Sequence, residues 1–89
     1  MAQTTVLAAG TTAATSTDIT VATGATIKIA IDCAGAIGPG DTLMIFEDGP
    51  LGERPVMQLN SSNPSTLIGS GTYRVKRPVT TASIAVFTE

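Results

Sequence analysis

Runs rich in Thr, Val and Ile recur along this chain, and Gly, Pro, Asn and Asp interrupt them roughly every eight to twelve residues. β-Branched residues favour strands, whereas these closing residues favour turns. Residues 25–33 show the pattern most clearly, because Ile27, Ile29 and Ile31 alternate with Lys28, Ala30 and Asp32. Such alternation gives a strand one buried and one exposed face. Long helical periodicity is missing, so the sequence predicts an all-β protein.

Two predicted strands lie near residues 4–9 and 18–23, and six more lie at 25–33, 42–47, 54–59, 65–68, 72–77 and 83–88. The run 42–47 is apolar on both faces, which is typical of a strand inside a sheet. Pro55 cannot donate a ladder hydrogen bond, so we expect the strand 54–59 at a sheet edge. Together these runs predict a β-sandwich or barrel of about seven to eight short antiparallel strands.

With 89 residues, the chain is long enough for one domain. The first 17 residues carry no charged side chain and few large apolar ones. We therefore predict an extended N-terminal arm over residues 1–17 and a sandwich domain over residues 18–89. Either the arm is ordered by pairing with a neighbouring subunit or surface, or it is a frayed terminus.

Composition argues against catalysis and against bound cofactors. The chain has no histidine and a single cysteine, Cys33, so neither a Ser-His-Asp or Cys-His arrangement nor a closed zinc site is available. We expect Cys33 to be a small buried apolar residue. The carboxylates that could act as acid and base are Asp32, Asp41, Glu47, Asp48 and Glu53. Four of them lie at turns or strand ends, where solvated charge is the ordinary interpretation. We predict a protein that is not an enzyme and has no catalytic residue, metal or cofactor.

Charge and aromatic content limit the partners. A formal net charge of −2 gives no long-range attraction for nucleic acid, and aromatic residues make up only 3% of the chain. Neither a signal peptide nor a membrane-spanning segment is recognisable, so we expect synthesis in the cytoplasm and no membrane partner. Near-neutral charge favours self-association, and we predict a homo-oligomer.

The most basic segment lies near the C-terminus. Arg74 and Lys76 share one face of a predicted strand, opposite Tyr73 and Val75, and Arg77 follows. This segment is either an ordinary solvated face or a surface complementary to the acidic loop 47–53 of a neighbouring copy. The predicted interface residues are Thr4, Thr5, Val6, Leu7, Arg74, Lys76 and Arg77.

Two resemblances add to this interpretation. Gly71-Thr72-Tyr73-Arg74-Val75 resembles a run in immunoglobulin-like sandwiches, where a tyrosine near a strand start hydrogen-bonds back across a corner. Val75 stands at the usual cysteine position and the chain has no tryptophan, so a true immunoglobulin domain is not indicated. The resemblance implies an immunoglobulin-like sandwich.

Across its length the chain also resembles small structural proteins of tailed-phage particles, including capsid decoration or cement proteins. The Thr/Ala-rich start at residues 4–7, the middle strands, the run from residue 63 to 78 and residues 83–87 carry this resemblance. It implies a virion protein, made in the host cytoplasm, that stabilises the shell by bridging neighbouring subunits of the major capsid protein or other virion proteins. It supplies no site residue. The alternative is an immunoglobulin-like binding module of a phage tail or fibre, or of a cell-surface adhesion protein.

Overall fold

The computed structural model describes residues 3–89, and its regular structure over this range consists of strands alone. The strands are β1 (Thr4–Leu7), β2 (Ala14–Thr15), β3 (Ile19–Val21), β4 (Ile27–Cys33), β5 (Leu43–Gly49), β6 (Gly52–Leu59), β7 (Ser65–Ile68), β8 (Gly71–Arg77) and β9 (Ile84–Thr88). The all-β prediction is therefore confirmed. Between residues 3 and 89 there is no helix long and apolar enough to cross a membrane.

The strands form two antiparallel sheets. The first sheet has the order β1-β9-β4-β7, and the second has the order β2-β8-β5-β6, with β3 also paired to β8. The two sheets share one core, so the predicted small β-sandwich is confirmed. The sequence analysis missed only β2, a two-residue strand that pairs with the C-terminal end of β8.

The core is built from the inward-facing residues of both sheets. Ile29 and Ile31 of β4 are buried, as their period-two spacing predicts. They lie in one cluster with Ile45 of β5, Val75 of β8 and Val86 of β9. The half-buried Cys33 packs against this cluster, where we expected a fully buried residue.

Strand β6 forms one edge of the second sheet, as Pro55 predicts. Its register with β5 shifts between Ile45 and Phe46, which pair with Met57 and Pro55, so Val56 is the extra residue of a β-bulge. The hairpin is longer than expected, because β5 continues to Gly49 and β6 begins at Gly52.

The N-terminal segment lies along the sandwich. Strand β1 pairs with β9 of the same chain, and Val6 and Leu7 pack against the core. Farther along, the Ser16 hydroxyl accepts a hydrogen bond from the Val75 N–H (2.9 Å), which holds the chain against β8 between β2 and β3. Met1 and Ala2 of the predicted arm lie outside the described residues, and the division of the chain at residue 17 stays a prediction.

Tyr73 makes the contact that the immunoglobulin-like resemblance implies. Its ring is buried, and its hydroxyl donates a hydrogen bond to the carbonyl of Ser70 (3.2 Å). The bond links the start of β8 to the turn that precedes it.

Replacing Tyr73 with phenylalanine keeps the buried ring and removes this hydrogen bond. We expect the free energy of unfolding to fall by about 1 kcal/mol, the usual contribution of one neutral hydrogen bond. Urea denaturation measures the change, and an unchanged slope with denaturant shows that the fold is the same. A variant as stable as the wild type would contradict a stabilising role for the corner bond.

Candidate docking surface

A hairpin formed by β5 and β6 ends in a turn of two residues, Pro50 and Leu51. The flanking glycines, Gly49 and Gly52, face each other across the hairpin. Proline presets the backbone angle needed early in such a turn, and Gly52 takes a φ of 114°, which other residues adopt only with strain. The Leu51 side chain points into solvent with 101% relative exposure. A fully exposed leucine therefore lies at the hairpin tip.

Ion pairs hold the hairpin stem on its inward face. Arg54 Nη2 donates to Glu47 Oε1 across the two strands at 2.7 Å. Hydrogen bonding and charge attraction from Glu47 raise the pKa of Arg54, so the guanidinium stays charged.

The outward face of the same stem carries a larger network around Arg74. Arg74 Nη1 lies 2.7 Å from an oxygen of both Asp48 and Glu53, and its Nε lies 2.7 Å from Asp18. Lys76 Nζ lies 2.9 Å from Glu53. Hydrogen bonds from Lys76 and Arg74 lower the pKa of Glu53, and the bond from Lys76 has the larger effect. Arg74 therefore links β8 to both strands of the hairpin and to Asp18, the residue before β3.

Arg74 and Lys76 lie on the outward face of β8, as predicted. Lys76 Nζ also lies 4.6 Å from the centre of the Phe46 ring. The structure supplies the acidic partners Asp48 and Glu53 from the same chain, and the hypothesis that this stripe complements an acidic loop on a neighbouring copy stays a prediction. Both cations are largely satisfied within the protein.

Arg77 is separate from this stripe. Side chains alternate along a strand, so Arg77 points inward with Tyr73 and Val75, and it is buried. Its guanidinium donates to the carbonyls of Ala8, Thr12 and Ile84 at 2.7–2.8 Å. Including Arg77 in an exposed basic surface was wrong. Its hydrogen bonds link the N-terminal segment to strands β8 and β9.

The predicted N-terminal interface residues lie elsewhere again. Thr4 and Thr5 are exposed on β1, at an edge of the first sheet, while Val6 and Leu7 are half-buried against the core. Arg74 and Lys76 belong to the second sheet. The structure therefore does not bring the two groups of predicted interface residues together in one surface.

Asp41 also differs from its prediction as a solvated turn carboxylate. It is buried, and its oxygens accept hydrogen bonds from the N–H groups of Gly38, Thr81 and Ala82 and from the Thr81 hydroxyl. These hydrogen bonds lower the pKa of Asp41, and the bond from the Thr81 N–H has the largest effect. Asp41 joins two loops and is not a candidate acid or base. Within residues 3–89, no three His, Cys, Asp or Glu side chains are grouped to hold a metal ion.

The sequence analysis missed the apolar surface of the hairpin. Of the five large apolar residues exposed in the described chain, Leu51, Val56 and Met57 lie on this one element. The available signal was the Gly-Pro-Leu-Gly turn, because a leucine between turn residues has no strand partner to cover it. We call Leu51, Val56 and Met57 the hairpin surface.

No family model, curated protein or solved structure matches this chain. A braced hairpin with an exposed apolar tip can insert into a pocket of another protein, since apolar anchors on preorganised elements supply much of the binding energy at interfaces.

Proposed function

We propose that this protein is a structural component of a tailed-phage virion, a capsid decoration protein that binds the assembled shell and stabilises it by bridging neighbouring subunits. The observation that carries the proposal is the fully exposed Leu51 at the tip of a hairpin held by ion pairs.

The hairpin surface supports binding to a protein over binding to a charged ligand. Its side chains are apolar, and the charged side chains of the stem, Glu47, Asp48, Glu53 and Arg54, each have an oppositely charged partner in the same chain. Apolar contact surrounded by satisfied polar groups is typical of protein–protein interfaces. The stem ion pairs also keep the hairpin in one orientation, which lowers the entropy lost on binding.

The phage assignment rests on the resemblance of residues 4–7, the middle strands, residues 63–78 and residues 83–87 to small structural proteins of tailed-phage particles. Shell reinforcement requires a compact protein with surfaces for its neighbours and no chemistry of its own.

Binding to capsids tests the proposal. Capsids of the source phage, stripped of minor proteins, are mixed with the purified chain and sedimented. We expect the wild type to co-sediment and Leu51→Ser to bind at least about tenfold more weakly, the effect of losing about 1.4 kcal/mol of contact energy.

Val79→Ser is the matched control, because Val79 is 79% exposed in the loop before β9. Neither variant should change the thermal midpoint, since both side chains are largely in solvent. Failure of the wild type to bind any capsid form would refute the decoration role. Equal loss of binding in both variants would refute the role of the hairpin. Recovery of the chain on cells or glycans alone would favour the adhesion module.

A further inference from the structure

Over residues 3–89, three of the four sheet edges are protected against the addition of another strand. Strand β6 carries two charged residues, a proline and a bulge, each of which opposes edge-to-edge pairing. These residues are Glu53, Arg54, Pro55 and Val56. In addition, Asn63 Nδ2 donates to the carbonyl of Gln58 at 2.7 Å and caps part of the same edge.

The edges on the other side of the sandwich are protected in a different way. Strand β1 has a register shift at Val6, and the carbonyl of Val6 accepts a hydrogen bond from the Thr17 N–H (3.1 Å). The neighbouring edge of the second sheet is divided between the short strands β2 and β3. Neither edge offers a regular row of free backbone groups.

Strand β7 is the exception. Its residues Ser65–Ile68 include no charge and no proline, and they pair with β4 in an unbroken register. Within residues 3–89, β4 is its only strand partner. Leu67 on this strand is 69% exposed. An uncharged, regular edge of this kind is a template for another strand.

The backbone of Leu67 points toward the open side. Lys28, which lies opposite Leu67 on β4, uses both its N–H and its carbonyl to bind Glu89 beyond β9, at 3.1 and 3.0 Å. In an antiparallel pair, backbone groups alternate between the two sides of a strand. Since Lys28 is turned away from β7, Leu67 directs its own N–H and carbonyl outward, and so does Ser65, two residues earlier.

We propose that β7 pairs antiparallel with β7 of a second copy of this chain, so that the first sheet continues across a two-fold axis centred on Leu67. In this register the outward N–H and carbonyl of each Leu67 bind those of the other. The two leucine side chains lie on the same outer face and cover each other. This is an isologous, closed contact and leads to a dimer.

Charge favours a second copy as the occupant. A two-fold contact brings each group near its own equivalent, so an unpaired charge would repel itself. Strand β7 has none, and the nearest cation, Lys28, is paired with Glu89 at 3.2 Å. The formal net charge of −2 adds little repulsion.

Four residues of strand extend over only about 13 Å, so the contact is smaller than a standard stable interface. The dimer should therefore be weak, with a dissociation constant of about 100 µM. This inference stands apart from the proposed function, because Leu51 and Leu67 lie on different elements.

Sedimentation equilibrium of the full chain from about 10 µM to about 1 mM tests the proposal. We expect the mass average to rise from monomer toward dimer. Leu67→Lys should raise the dissociation constant at least about tenfold, since it places two lysines opposite each other. Val79→Lys, with the same added charge on an exposed loop residue, should match the wild type.

Backbone amide NMR over the same concentrations identifies the contact without a variant. The amides of Ser65 and Leu67 should shift with concentration, while those of Glu53 and Arg54 on β6 should not. A wild type that stays monomeric would overturn the proposal. So would a dimer whose shifts map to β6, or one that Leu67→Lys leaves unchanged.

Discussion

Replacing Arg77 with methionine should lower the free energy of unfolding by about 3 kcal/mol, a large part of the stability of a domain of this size. The buried guanidinium donates to the carbonyls of Ala8, Thr12 and Ile84. Methionine fills the space but donates nothing, so three acceptors lose their partner. A buried acceptor without a partner costs more than the bond itself contributes.

Arg77→Met should also destabilise the structure locally, around the contacts of the guanidinium. The segment around Gly10 lies against the guanidinium, because a Cβ at this glycine would fall 2.9 Å from Arg77 Nη2. Its backbone also accepts hydrogen bonds from the N–H groups of Thr80 and Ile84, through the carbonyls of Thr11 and Gly10. In Arg77→Met, the rate of hydrogen exchange at the Thr80 and Ile84 amides should increase by a larger factor than the rate in β4 and β5.

Lys76→Met is the matched control for this prediction. It also replaces a long basic side chain with methionine, at the adjacent residue. Lys76 points outward, however, and its side chain is 42% exposed. Urea denaturation should show a loss several times larger for Arg77→Met than for Lys76→Met. Arg77→Lys should also be destabilised, since one ammonium group cannot reproduce the planar fork that reaches three carbonyls. Equal stability of the two methionine variants would contradict the role of Arg77 in holding the N-terminal segment.

Asp41→Asn should lower the thermal midpoint at pH 7 by about 10 °C. The carboxylate accepts four hydrogen bonds, from the N–H groups of Gly38, Thr81 and Ala82 and the hydroxyl of Thr81. Gly38 permits this approach, because a Cβ there would lie 2.5 Å from Thr81 Oγ1. Three of these bonds reach Oδ2 and one reaches Oδ1, so an asparagine with its oxygen at the Oδ2 position turns its amide donor toward the Thr81 N–H.

The effect should depend on pH in one direction. Folding lowers the pKa of Asp41 below its ordinary value of 3.8. A carboxylate with a lowered pKa contributes its full stability above the unfolded value, and this contribution is lost as the pH falls through the folded pKa. The difference in thermal midpoint between the wild type and Asp41→Asn should therefore be constant from pH 7 to about pH 5 and shrink below about pH 4.

Thermal unfolding of both proteins between about pH 7 and about pH 2 measures this gap. Asp32→Asn is the control, because Asp32 is an exposed aspartate on β4. Its midpoint at pH 7 should match that of the wild type, because the Asp32 side chain lies in solvent. A gap for Asp41→Asn that stays constant down to pH 2 would show that the charge of the carboxylate is not what joins the two loops.

Local patterns predicted most of the strands for a physical reason. Whether Ile29 and Ile31 point to the core depends on alternation along one strand, and Pro55 marks an edge because it lacks an N–H. The limits of the β5–β6 hairpin could not be predicted in the same way. Asp48 and Glu53 extend it by binding Arg74, which lies about twenty residues or more away in the chain.

The sequence by itself determined that this protein is all-β, that it lacks the histidine and paired thiols of common catalytic and zinc sites, and that Tyr73 lies near the start of a strand at a corner. Those properties reside in residue type and short spacing. Only the tertiary structure decided that Arg77 and Asp41 are buried clamps, that Leu51 is the exposed apolar tip and that β7 is the open edge. Each of these depends on which distant backbone groups meet a side chain or leave it uncovered, and such meetings are set by the packing of two sheets.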